Sequence, residues 1–65
     1  MNTYHLQVLN DKNTYEIIVR ADVVGWSEAG LYEFVRFDNG NREVVAYYPV
    51  SRTIVHRIEY GNSDR

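Results

Sequence analysis

The chain has 65 residues, of which 45% are hydrophobic and 25% charged, with no cysteine and a formal net charge of −2. At this length a single domain is the upper bound, folding hides only about 60% of the surface an unfolded chain exposes, and neither a disulfide nor a thiolate-held metal supplements the core. The acidic balance argues against a general polyanion binder, and no apolar run is long enough to span a bilayer, so a cytoplasmic protein is expected.

Tyr4, Leu6 and Val8 alternate with His5 and Gln7, the period of a half-buried strand. The turn-forming run Asn10-Asp11-Lys12-Asn13 leads into Tyr15, Ile17 and Val19, which alternate with Glu16 and Arg20. With Asp11-Lys12 as the loop, Val8 faces Tyr15, Leu6 faces Ile17 and Tyr4 faces Val19. All six then lie on one side, and a slip of one residue would destroy the match, so the register is specified.

The stretch from Asp22 to Gly30 reads as a loop because glycines flank Trp26-Ser27-Glu28-Ala29. A helix over Ser27 to Phe37 has periodic support from Leu31, Phe34 and Val35, but it would take a strand away from the next turn. That turn is Asp38-Asn39-Gly40-Asn41, whose Asn-Gly pair suits a tight type I′ hairpin. A two-residue loop there pairs Arg36 with Glu43, Phe34 with Val45 and Tyr32 with Tyr47. On the opposite face it pairs Val35 with Val44, Leu31 with Tyr48, Glu33 with Ala46 and Phe37 with Arg42.

Pro49 cannot donate to a ladder and closes the fourth strand; Ser51-Arg52 form a short or 3₁₀ turn, and a fifth strand runs through Ile54 and Ile58. Residues 1 to 60 form one domain in this reading, and Gly61-Asn62-Ser63-Asp64-Arg65 form a polar tail that frays.

The expected fold class is all-β: five antiparallel strands built from two hairpins and a closing strand. Asn39-Gly40 as a hairpin tip, Tyr48-Pro49-Val50-Ser51 as the exit into a 3₁₀ turn, and Ile54 to Ile58 as the last strand resemble the SH3-like small barrel. The resemblance covers residues 31 to 60 and implies a small barrel or a strongly curved sheet. The Ala-Leu-Tyr-Asp-Tyr signature of SH3 domains is missing from the chain, as are the nucleic-acid motifs of the ring-forming Sm-like proteins. Neither activity is therefore implied.

Six of the nine aromatic residues are tyrosines, whose apolar ring and polar tip suit half-buried strands and interfaces. Both faces of the second hairpin are apolar, and a barrel interior hides only one. Leu31, Val35, Phe37, Val44, Ala46 and Tyr48 are expected in the core. Tyr32, Phe34, Val45 and Tyr47, bordered by Arg36 and Glu43, are expected to form an exposed partner-binding patch. Glu33 opposes this choice, since a carboxylate on a core face is expensive. Trp26 is either a lid on the barrel end or an exposed anchor for a partner.

The sequence holds no cysteine nucleophile, no glycine-rich phosphate loop and no histidine and cysteine cluster with metal spacing. His5 and His56, the only histidines, lie on the first and last strands, which neighbour each other in this fold. No enzymatic activity, cofactor or metal is expected. The chain reads as a small protein-binding module or inhibitor that occludes the surface of another protein, a second copy of itself, or both. In size and composition it resembles small accessory proteins of phages and mobile elements, some of which block host enzymes or defence systems. The alternative is single-stranded nucleic-acid binding, with Tyr32, Phe34, Tyr47 and Arg36 as a stacking platform.

Overall fold

In the computed structural model, which describes residues 1–61, alternation and turn chemistry produce six strands. β1 (Asn2–Asn10) and β2 (Asn13–Ala21) form the first hairpin. β3 (Val23–Trp26), β4 (Leu31–Asp38) and β5 (Asn41–Pro49) follow, then a 3₁₀ turn at Val50–Arg52 and β6 (Thr53–Glu59). They make two three-stranded antiparallel sheets, ordered β2-β1-β6 and β3-β4-β5, which are not closed into a barrel.

The first hairpin has the register its apolar pattern demands: Val8 with Tyr15, Leu6 with Ile17, Tyr4 with Val19. The tip of the second is also as expected, with Asn39 and Gly40 both at positive φ, 53° and 81°, as a type I′ turn requires. Arg36 faces Glu43 and Val35 faces Val44. Beyond that point the pairing departs from the two-residue-loop count.

Val45 is an extra residue in β5, so Phe34 faces Ala46, Glu33 faces Tyr47, Tyr32 faces Tyr48 and Leu31 faces Pro49. A bulge of this kind switches which side chains of the bulged strand share a face. The core assignment is therefore corrected on β4, where Phe34 and Tyr32 were expected outside, whereas Val35 is buried and Ala46 and Tyr48 pack on the core as expected. Phe34, with Tyr32, Ala46 and Tyr48 packed beside it, faces inward. Glu33 lies on the outer face, where its carboxylate accepts from Arg42 at 2.9 Å. Glu33 stays partly buried, and the ion pair with Arg42 offsets the desolvation cost that counted against the original choice. Phe37 is exposed at the hairpin tip, not buried.

Residues 22 to 30 are neither a simple loop nor a helix. β3 pairs with β4 from Val23 opposite Val35 to Trp26 opposite Tyr32, making six strands where five were expected. Val23 and Val24 are β-branched, and pairing with a well-patterned neighbour outweighs Gly25. The true connection is Ser27 to Gly30, closed by Ser27 N–H donating to the Leu31 carbonyl at 2.8 Å and Gly30 N–H to the Ser27 carbonyl at 3.0 Å. Gly30 sits at φ 82°, and its carbonyl accepts from Val50 N–H at 2.9 Å, fastening the 3₁₀ turn to this loop.

Asp22 carries the chain from one sheet to the other. Its N–H donates to the Val35 carbonyl at 2.8 Å, its carboxylate accepts from Phe37 N–H at 2.7 Å, and its carbonyl accepts from the Asn2 amide at 3.1 Å. The sheets enclose Tyr4, Leu6, Val19, Ala21 and Phe34. Of the expected polar tail, Gly61 donates its N–H to Asn2 Oδ1 at 2.8 Å, and residues 62 to 65 lie outside the described residues.

Candidate functional site

Trp26 ends β3, a four-residue strand at the edge of its sheet. Pairing with Tyr32 fixes its backbone, yet 75% of the residue remains exposed. Trp26 is therefore not a lid over the core.

Trp26 lines a hollow of about 420 Å³ together with Val24, Gly25 and Tyr32. A second, of about 220 Å³, is lined by Trp26, Ser27, Glu28, Gly30 and Val50. Gly25, which lines the first hollow, has open space where a side chain would project. An exposed indole that borders two recesses offers a large apolar contact, and each recess has room for a side chain of a partner.

The other expected partner-binding residues do not gather around Trp26. Phe34 is completely buried, so its place in an exposed patch is corrected. Tyr32 is half-buried and lines the first hollow. Arg36, four residues beyond Tyr32 on β4 and about 13 Å away at the rise of an extended strand, forms an ion pair with Glu43 of β5. Val45 and Tyr47 are exposed on β5, Tyr47 at 55%. The expected patch is thus divided between the Trp26 end and β5.

Sequence reading missed Val24 and Val50 as the walls of the two hollows. The signal available was the β-branched pair Val23-Val24 immediately before Gly25-Trp26, which marks a strand delivering the tryptophan.

The histidines come together on the outer face of the first sheet, with ring centroids 6.3 Å apart. His5 Nε2 lies 3.1 Å from Glu59 Oε2, and His56 Nε2 lies 3.3 Å from Glu16 Oε1. Gln7 donates to the other Glu16 oxygen at 2.9 Å, and this bond is the largest influence holding the Glu16 carboxyl below its ordinary value. Among the described residues no group of three histidine, cysteine, aspartate or glutamate side chains is placed to hold a metal ion. No helix among them is long and apolar enough to cross a membrane.

Comparison with known proteins adds no assignment to this geometry. No protein-family model, curated protein or solved structure matches the chain.

Proposed function

We propose that the protein is a small binding module, or inhibitor, that seats Trp26 in the surface of a partner protein and acts by occluding that surface. The observation that carries this reading is the three-quarters exposure of a tryptophan whose backbone is held in a sheet and which lines two hollows. Tryptophan anchors of this kind are heavily represented among the residues that dominate interface energies, and a fixed backbone reduces the ordering cost on binding. Val24, Tyr32 and Val50 supply the apolar walls, and Glu28 the polar rim.

The nucleic-acid alternative draws less support. Arg36, Arg42 and Arg57 are each paired with a glutamate, which cancels the field that phosphate binding needs. Phe34 is buried and offers no stacking surface.

We read the architecture as an opened SH3-like small barrel. Support comes from the two sheets joined through Asp22 and from the 3₁₀ turn before the last strand.

The test is capture from the native host with the wild-type chain and with Trp26→Ala in parallel. A protein retained by the first and lost by the second, with both chains folded by circular dichroism, supports the proposal. Equal retention by both chains removes Trp26 from the interface.

A further inference from the structure

Four strands lie at sheet edges, and three of them carry features that blunt an edge against pairing. β3 is only four residues long and contains Gly25. β5 bulges at Val45 and ends in Pro49. β6 bulges at His56, because Leu6 of β1 faces Val55 while His5 faces Arg57. Short strands, bulges and proline are the usual protections of an exposed ladder.

β2 has none of them. It runs nine residues from Asn13 to Ala21 in unbroken register with β1, without proline or glycine. Near its end the Asp22 N–H bond to Val35 brings it against the second sheet, which leaves the run from Asn13 to Arg20 as a bare edge. Ile18, in mid-strand on the outer face, is 63% exposed.

We propose that this edge pairs antiparallel with β2 of a second copy of the chain, about a twofold axis through Ile18. In that register Ile18 faces Ile18 of the second copy, Ile17 faces Val19, and Glu16 faces Arg20. The twofold repeats each contact, so two apolar pairs and two opposite-charge pairs flank the central isoleucines.

Shifting the register by two residues in either direction loses this match. One shift puts Glu16 opposite Ile18 and Thr14 opposite Arg20, and the other puts Glu16 opposite Asp22. Arg20 makes no ion pair among the described residues, and Glu16 keeps much of its carboxylate exposed while accepting from Gln7. The product is one continuous six-stranded sheet, β6-β1-β2 joined to its twofold mate. The surface is separate from the Trp26 hollows, which lie on the other sheet.

Sedimentation equilibrium of the intact chain across a concentration series tests the proposal, with circular dichroism confirming that each variant is folded. A monomer–dimer equilibrium is expected that weakens with added salt. Arg20→Glu and Glu16→Arg each place like charges opposite one another and should weaken dimerisation by about tenfold or more. The double variant Glu16→Arg with Arg20→Glu restores both pairs in reversed order and should recover most of the association.

Ile18→Lys, at an exposed position, should give a folded monomer, whereas Trp26→Ala should dimerise like the wild type. A wild-type chain that stays monomeric at millimolar concentration overturns the proposal. So does a dimer indifferent to Arg20→Glu and Ile18→Lys, or a double charge swap that fails to recover while remaining folded.

Discussion

Tyr4 of β1 and Phe34 of β4 meet edge to face across the gap between the two sheets, their ring centroids 5.3 Å apart and their planes at 66°. Tyr48 approaches the same phenylalanine at 6.1 Å and 74°, and Tyr32 at 6.4 Å and 51°. Three of the six tyrosines therefore surround one buried ring, and the tyrosine excess is in good part a core feature. Each such contact adds about 0.5–1.5 kcal/mol beyond area burial.

Phe34→Ala should cost about 3–5 kcal/mol, the loss typical of a buried aromatic. At about 0.05–0.15 kcal/mol per residue, that is most of the stability a chain of this size has. Urea denaturation is expected to find the variant largely unfolded in buffer. A loss under about 1 kcal/mol would mean that the sheets do not close around this ring.

Trp26→Ala should change stability by no more than about 0.5 kcal/mol, because the ring contributes little to the core. As the chain's single tryptophan it also reports its own environment. Its emission should resemble that of a water-exposed indole, be readily quenched by iodide, and become shielded on partner binding. A blue-shifted, unquenched signal from the free chain would show the ring to be packed.

Thr53 begins β6 in a buried position, and among the described residues its Oγ1 has no hydrogen-bond partner. Replacing the hydroxyl with a methyl of similar shape removes a polar group that has lost its water. Thr53→Val should raise stability by about 1 kcal/mol, read as a higher urea midpoint at unchanged slope.

Glu16 links stability to pH. The Gln7 hydrogen bond, with smaller contributions from His56 and His5, outweighs desolvation and holds its carboxyl below the ordinary value of 4.5. The folded chain then binds this proton less tightly than the unfolded chain. Its stabilising contribution is present above that ordinary value and disappears as pH falls through the lowered one. From about pH 6 down to about pH 3, Glu16→Gln should lose less stability than the wild type. Equal slopes, measured at concentrations where both chains are monomeric, would rule the linkage out.

Gly40 adopts φ 81° in the tight turn after β4. Gly40→Ala places a β-carbon in the left-handed region and should cost about 1–2 kcal/mol. Asn39→Gly, at φ 53°, should be nearly neutral. A neutral Gly40→Ala would indicate a different turn.

Much of the fold was legible in the pattern of residues, and the failures have a common cause. The first hairpin could be aligned because six apolar positions agree on one register. The second could be aligned only as far as Val44. One additional residue, Val45, reverses the relation between count and face, and valine beside valine leaves no mark of where the bulge falls. Glu33 was the one residue whose chemistry pointed to the reversal. β3 was hidden because four residues with a central glycine show too little periodicity, and only the pairing with β4 makes them a strand. Trp26 could be singled out as a candidate anchor, but its two hollows depend on Val50 and Tyr32, which reach it only through the tertiary fold.

β1 is the central strand of its sheet, yet one of its two neighbours, β6, begins 43 residues after β1 ends at Asn10. Thr3 pairs with Glu59 and Tyr4 with Ile58, so the middle of the structure is completed from opposite ends of the described chain. During synthesis the first hairpin emerges with one flank of β1 bare, and it stays bare until β6 leaves the ribosome. Closure of this sheet thus waits for β6 and puts slow, long-range contacts at its centre. Premature termination anywhere before Thr53 would release a chain with an unsatisfied central strand, a species prone to aggregation and a ready substrate for cellular proteases.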